Sequence, residues 1–266
     1  MAVAELTVAK APRQKNLFAQ TVTEVEHYTE RLFRFRVTRP ASFRFRSGEF
    51  VMIGLENTPM RAYSIASPSW DDELEFFSIK VPGGPLTEHL QRIKVGDTVL
   101  IGKKPTGTLV NDALIPGKRL WLFATGTGAA PFASLIRDPE TFDKFDEVIL
   151  TETCREVAEL RYAQEVVDAT LADPLVGEFA QGRLRLFTTA TREPHEHTGR
   201  ITDLIRSGAL FETMNVAPLD PVTDRAMICG SMEMLKETQA LLEERGFEEG
   251  ANNRPATYVV ERAFVG

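Results

Sequence analysis

From about Gln20 to Val110, apolar and polar residues alternate with the two-residue period of a strand, and turn residues punctuate the alternation. The segments "TVTEVEHYT", "RLFRFRVT", "EFVMIGL", "RAYSIAS", "ELEFFSIKV", "DTVLIG" and "GTLV" predict short strands spaced as in a barrel or sandwich. Within "LFRFRV", Leu32, Arg34 and Arg36 fall opposite Phe33, Phe35 and Val37. "RAYSIAS", residues 61–67, places Ala62, Ser64 and Ala66 on one face and Arg61, Tyr63 and Ile65 on the other. One helical stretch, "PLTEHLQRI" over 85–93, interrupts the pattern.

After "IPGKR" the rhythm changes. "LWLFATG" is a continuous apolar run of the kind a buried strand requires, and "APFASLIRD" is helical. "DEVILTETC" is another strand, followed by a clear helical period in "EVAELRYAQEVVDATL". The alternation continues through "RLRLFTTAT", "ITDLIRSG", "DRAMICG" and "SMEMLKETQALLEERG", and "ATYVVERAFV" closes it. Strands alternating with helices imply a mostly parallel sheet covered on both faces. The expected architecture is therefore two domains, a β-barrel or sandwich followed by an α/β domain, dividing at the Pro116-Gly117 turn. Residues 1–17 are expected to form a loose leader, 18–115 the first domain and 116–266 the second.

Composition narrows the function. A chain of 266 residues accommodates two domains, and 43% hydrophobic with 26% charged residues is a globular balance. No apolar run approaches the ~20 residues that span a bilayer, so no membrane association is expected. A net charge of −7 argues against wholesale nucleic-acid binding. The two cysteines, Cys154 and Cys229, suit a reducing cytoplasm and fall short of the four thiolates of an iron–sulfur cluster. No triad, metal-ligand cluster or acid/base dyad is evident in the spacing.

The chemistry concentrates in a few motifs. "ATGTGAAPF" puts Gly126-Thr127-Gly128 between a strand and a helix, where backbone can approach a phosphate and free N–H groups point outward. Pro131 suits the first helical turn. Alone, the turn is also compatible with a tight strand-to-helix connection that binds nothing, since the third position of the dinucleotide fingerprint is not glycine.

Together, "RAYSIAS", "GGPLT", "ATGTGAAPF", "CGS" and the terminal aromatic strand resemble the ferredoxin–NADP reductase family, in particular its bacterial branch, from about residue 18 onward. The resemblance implies an antiparallel flavin-binding β-barrel followed by a nucleotide-binding α/β domain, with FAD and NADP(H) meeting between them. It further implies that Arg61 pairs with the FAD pyrophosphate, that Tyr63 packs on the flavin ring, and that Ser64 hydrogen-bonds near flavin N5. Ala62 lies within that strand, and Ile79, Lys80 and Val81 match the segment lining the flavin. Gly84, Leu86 and Thr87 match the "GGPLT" turn, with the Thr87 hydroxyl contacting phosphate. Ala263 stands where other branches place an aromatic against the flavin, and Phe264 is expected on the adenine. Thr127 and Gly128 match the turn that receives the NADP pyrophosphate. Arg155 follows the strand "VILTETC", where an NADP-type fold commonly places an arginine, and Arg192 and Arg200 match family positions converging on the 2′-phosphate, whereas Glu152 on that strand argues the other way, as an acid that repels the phosphate or binds an unphosphorylated ribose. Cys229 and Gly230 approach the nicotinamide, Cys229 shaping the pocket without acting as a nucleophile, and Glu261 matches a carboxylate near the reacting centre. Where the family usually carries a larger aliphatic residue, this chain has Ala129.

The implied reaction passes hydride from NADPH to FAD and single electrons onward to a separate ferredoxin or flavodoxin, by a cytoplasmic monomer. Arg34, Arg36, Arg44, Arg46 and Lys80 are expected to offer an acidic carrier a docking surface. Alternatives are an NADH-using reductase component of an oxygenase, a flavin subunit that takes no pyridine nucleotide, and a non-enzymatic nucleotide-binding module.

Overall fold

The computed structural model describes residues 17–262. The leader, Leu17 apart, and the expected flavin contacts Ala263 and Phe264 lie outside those residues. The elements run in the order β1 (Leu17–His27), β2 (Leu32–Thr38), β3 (Phe50–Gly54), β4 (Arg61–Ser64), β5 (Glu73–Ile79), α1 (Thr87–Leu90) and β6 (Thr98–Gly102). There follow β7 (Arg119–Thr125), α2 (Ala129–Ile136), α3 (Pro139–Lys144), β8 (Glu147–Cys154), α4 (Arg161–Ala172), α5 (Gly177–Ala180) and β9 (Leu184–Ala190). The chain ends with α6 (Ile201–Ser207), α7 (Ala209–Met214), β10 (Asp224–Cys229), α8 (Met232–Glu243) and β11 (Tyr258–Val260).

The first six strands form one antiparallel sheet in the order β4-β3-β6-β1-β2-β5. The sheet nearly closes into a barrel, because the Ala66 N–H, just past β4, donates to the Glu75 carbonyl of β5 at 2.8 Å. A register shift in β1 between Val22 and Glu24 bends that long strand around the closure. The alternation predicted for "LFRFRV" is realised: Phe33, Phe35 and Val37 fill the barrel with Val51, Ile53, Ile65, Val99 and Ile101. Leu32 faces the other way and joins the core of the second domain with Ala66 and Phe77.

The second sheet is parallel, in the order β11-β10-β7-β8-β9. Its strands are buried on both faces, which is why "LWLFAT" and "RAMIC" are apolar without alternation. One core lies on the α2 and α4 side and includes Leu122, Leu150, Phe132 and Tyr162; the other contains Trp121, Phe123, Ile149, Ile228 and Leu242. From β7 the chain steps outward to β8 and β9, then returns to the far side of β7 as β10. This reversal opens a crevice beyond the carboxyl ends of β7 and β10, where ligands of open α/β sheets bind.

Two expected elements differ. "GTLV" (107–110) is not a strand: only Thr106 bridges Phe50, and Leu109 and Val110 turn into the core of the second domain. The helix expected over 85–93 is one turn, Thr87–Leu90, because only Leu86, Leu90 and Ile93 find apolar cover in the barrel. The turn at Ile115-Pro116-Gly117 is held by Arg225, whose guanidinium donates to the Ile115 carbonyl at 3.0 Å and to that of Pro116.

The domains are joined through a buried acid. Glu75 in β5 is 1% exposed; its Oε1 accepts from Arg137 (3.0 Å) and Tyr162 (2.9 Å) of the second domain. Its Oε2 accepts from Arg34 and Arg36 of the barrel, both at 3.3 Å. The ring of Phe77 in β5 stacks on Tyr162 in α4, centroids 3.9 Å apart.

Candidate functional site

A cleft of about 1080 Å³ separates the two domains, larger than the ~300–1,000 Å³ of most single-ligand pockets. One wall is the barrel strand β4 with the end of β5 and the Gly84–Thr87 turn; the other is built from loops following β7, β8, β9 and β10.

On the barrel wall, Arg61, Ala62, Tyr63 and Ser64 all line the cleft. Pairing with Ile53 and Val51 turns Arg61 and Tyr63 to the barrel's inner face, at its mouth. The Tyr63 hydroxyl meets Ser78 Oγ at 3.0 Å and its ring packs edge-on against Phe76, which fixes the ring plane. Burial pushes the phenol's pKa up, against the Ser78 hydrogen bond, so Tyr63 stays neutral. Arg61 is exposed and bonds only the Met60 carbonyl, at 3.1 Å, leaving its guanidinium without a carboxylate among the described residues. Ile79, Val81, Gly84, Leu86 and Thr87 also line the cleft, and the Thr87 hydroxyl donates to the Val81 carbonyl at 3.3 Å. Lys80 does not line it: its ammonium donates to the Thr29 carbonyl at 2.9 Å, behind the strand.

On the opposite wall, Gly126, Thr127 and Gly128 form a single 3₁₀ turn leading into α2. Gly126 has φ +56°, and a Cβ there would meet nothing within 4 Å, so the turn presents open backbone to the cleft. Gly128 is glycine for a different reason: a Cβ would lie 2.2 Å from the Cys229 carbonyl oxygen. The β7 and β10 loops therefore touch backbone to backbone, and Thr125 Oγ1 accepts the Ser231 N–H at 2.9 Å to lock them. Cys229 and Gly230 line the cleft beside the turn. Burial pushes the Cys229 thiol up, and Glu261 and Glu152 add to it, which makes it a poor nucleophile.

Arg155, Arg192 and Arg200 all line the cleft. The Arg192 N–H donates to the Arg155 carbonyl at 3.0 Å, tying the loops after β8 and β9 together. Neither Arg155 nor Arg192 has a carboxylate partner among the described residues, whereas Arg200 pairs with Glu233 (2.7 Å) and Glu237 (3.6 Å). Glu152 does not oppose a phosphate as a charged group. It is 2% exposed, and burial pushes its pKa up to about 8, against hydrogen bonds from Cys154 and the Gly126 amide.

Glu261 does not line the cleft, although it lies close enough to Cys229 to push that thiol up; it is buried beside Thr108, whose N–H it accepts at 3.1 Å. The barrel arginines do not form a free basic surface. Arg34 is bound by Glu24, Glu26 and Glu75, Arg36 by Asp71, Glu73 and Glu75, and Arg46 by Glu49; Arg44 donates to the carbonyls of Ala41 and Phe43. Alternation on β2 put Arg34 and Arg36 outside the barrel, and that face is roofed by acids of β1, β5 and the loop before β5. Residues that motif reading missed include Arg31, Phe77, Ser78 and Thr125. Ser78, one step before "IKV", and Thr125, inside "ATGTGAAPF", carried a local signal; Arg31 and Phe77 did not.

A six-stranded antiparallel barrel facing a parallel α/β domain across one large cleft defines a two-domain flavin- and pyridine-nucleotide-binding oxidoreductase. Residues 19–110 match the oxidoreductase FAD-binding domain family and residues 122–240 the oxidoreductase NAD-binding domain family. The chain is 58% identical over 264 residues, 98% of each chain, to a flavodoxin/ferredoxin–NADP reductase of Rhodobacter capsulatus. It is 49% identical to the ferredoxin–NADP reductase of Pseudomonas aeruginosa, over 94% of this chain and 98% of that one. A ferredoxin NADP+ reductase from Neisseria gonorrhoeae, solved with bound FAD and NADP, superposes with a TM-score of 0.83 at 28% identity, covering 93% of this chain and 99% of that one. The chain belongs to the ferredoxin/flavodoxin–NADP reductase family, and it is an oxidoreductase whose cofactors are FAD and NADP(H).

The walls fit these groups on their own chemistry. A guanidinium without an acid partner, a neutral fixed tyrosine ring and an open glycine turn are the parts a dinucleotide flavin and a phosphorylated nucleotide need.

Proposed function

We propose that the cleft brings NADP(H) against FAD for hydride transfer, and that the protein then exchanges single electrons with a separate ferredoxin or flavodoxin. The observation that carries this reading is the cleft itself: "RAYS" and the glycine turn, far apart in sequence, form its facing walls. When bound, FAD supplies the conversion between hydride and single-electron chemistry. The chain's residues supply orientation and dryness. Tyr63, fixed by Ser78 and Phe76, presents a ring face for the flavin, and Ser64, 6% exposed, places its hydroxyl beside the same segment. Arg61 and Thr87 take the FAD pyrophosphate, Thr127 and Gly128 that of NADP(H), and Arg155 and Arg192 its 2′-phosphate. Cys229 and Gly230 bound the nicotinamide side. Leu32, Phe77 and Ala130 exclude water from the floor. Within this reading the protein is a cytoplasmic monomer divided at Pro116-Gly117. Among the described residues no helix is long and apolar enough to cross a membrane.

Anaerobic titration tests the reading: NADPH should bleach the flavin band stoichiometrically and NADH only slowly, and reoxidation should follow addition of ferredoxin or flavodoxin. Equal bleaching by both nucleotides, or none, overturns it.

A further inference from the structure

Two acids stand near the unpaired cleft arginines in sequence, Glu159 after Arg155 and Glu193 next to Arg192, and both turn their carboxylates to backbone. Glu159 lines the cleft but is only 7% exposed; its Oε2 accepts the Arg155 N–H at 3.0 Å and the Glu156 N–H at 3.2 Å. Glu193 Oε2 accepts the Val157 N–H at 2.8 Å. The consecutive amides of Arg155, Glu156 and Val157 therefore all end on carboxylate oxygens, while the Arg155 guanidinium has no acid partner among the described residues.

The other oxygen of Glu159 faces the barrel. Oε1 lies 3.7 Å from Nη1 of Arg31, in the connection between β1 and β2, and Arg31 also lines the cleft. Contacts on either side dock that connection against the start of α4: Arg161 pairs with Glu26 at 2.6 Å, and the Tyr28 hydroxyl donates to Glu165 at 2.9 Å. A carboxylate at the third position of the 3₁₀ turn Val157–Leu160 caps that turn whatever the cleft holds. Here it also fixes the backbone of a cleft arginine that precedes the turn, and it does so against a residue of the other domain.

We propose that Glu159 is a positioning residue for nucleotide selectivity: by holding the Arg155 amide and facing Arg31 of the barrel, it fixes the backbone from which the Arg155 guanidinium reaches the 2′-phosphate of NADP(H).

This rests on the reading that Arg155 takes the 2′-phosphate. A guanidinium binds phosphate through a planar fork that tolerates little misplacement, and a fixed Cα leaves less of the long side chain to be ordered on binding. An acid paired with the guanidinium would compete with the phosphate for it. Glu159 does not, because the two amides and Arg31 engage its oxygens. NAD(H) lacks the phosphate, so its binding is indifferent to where that guanidinium sits.

The test uses the FAD-loaded protein and measures Kd for NADP+ and for NAD+ by difference absorbance. Glu159→Ala should weaken NADP+ binding about tenfold, the loss of one charge-assisted hydrogen bond, with NAD+ binding and FAD content unchanged. Glu159→Asp keeps the charge but draws the oxygen back from both amides, and should show the same selective loss. Glu159→Gln keeps an acceptor in place and should stay within about twofold of wild type. In an Arg155→Ala background, Glu159→Ala should have no further effect on NADP+ affinity. Equal losses for the two nucleotides, a loss undiminished in the Arg155→Ala background, or Glu159→Gln as damaging as Glu159→Asp overturns the proposal. The aspartate and glutamine variants decide the matter even if the alanine variant fails to fold. If Arg155→Ala alone leaves NADP+ affinity unchanged, the reading of the 2′-phosphate site falls and the proposal with it. If Arg155→Ala weakens NADP+ binding and Glu159→Asp does not, the Glu159 assignment alone falls.

Discussion

Replacing Glu75 with glutamine should destabilise the protein by about 3–5 kcal/mol, because it removes the only carboxylate, among the described residues, that faces the largely buried Arg137. Burial on its own would raise this carboxyl's pKa, but Arg137, Arg34 and Arg36 overcome burial and hold it down at about 2, against an ordinary 4.5. That difference corresponds to roughly 3 kcal/mol of stability at neutral pH. The three arginines are not equally affected. Arg34 keeps Glu24 and Glu26, and Arg36 keeps Asp71 and Glu73. Among the described residues Arg137, with 16% of its side chain exposed, has Glu75 as its sole acid and would otherwise bond only the Ala133 and Ala66 carbonyls. Tyr162→Phe, which removes one hydroxyl from the same carboxylate, should cost about 1 kcal/mol. Urea unfolding, followed by tryptophan and flavin fluorescence together, measures both. The sign with pH is fixed. The Glu75 contribution is complete above the ordinary carboxyl range, pH ~4.5, and is lost as pH falls through about 2, so wild type should lose stability across that acid window. Glu75→Gln should be flatter there. A variant within 1 kcal/mol of wild type, or an acid limb parallel to it, would show that the cluster contributes no net stability.

Neutralising Arg155 and Arg192 together should lower kcat/KM for NADPH by about two orders of magnitude and leave NADH turnover nearly unchanged, whereas Arg200→Ala should do less because Glu233 and Glu237 already engage it. Equal losses for both nucleotides in steady-state kinetics would assign these side chains to the fold. Ala129→Ile adds volume at a position 1% exposed at the start of α2, so thermal unfolding should show a cost of about 1–3 kcal/mol, and stopped-flow reduction by NADPH should change while bound FAD is retained. Gly128→Ala would put a Cβ 2.2 Å from the Cys229 carbonyl, and the backbone shift should slow NADPH reduction more than it depletes FAD, as absorbance of the purified protein would show.

Periodicity determined much of this protein without help. A two-residue alternation in "LFRFRV" can bury only Phe33, Phe35 and Val37 together, and unbroken apolar runs such as "LWLFAT" survive only in a sheet covered on both faces. The glycine turn and the "RAYS" strand were legible because their residue types are unusual for the elements they occupy. What remained hidden depended on distance in sequence. Arg34 and Arg36 have the composition of a basic surface, and only the pairing of β2 with β1 and β5 reveals the acids that neutralise them. Glu261 has the composition of an active-site acid, yet Thr108, 153 residues away in sequence, occupies it. Glu152 is an acid on an apolar strand whose charge state follows from burial, and burial is a property of what packs on top of it. Local pattern determines which face a side chain takes; the tertiary structure alone decides which partner waits there, and for ionisable groups the partner sets the charge.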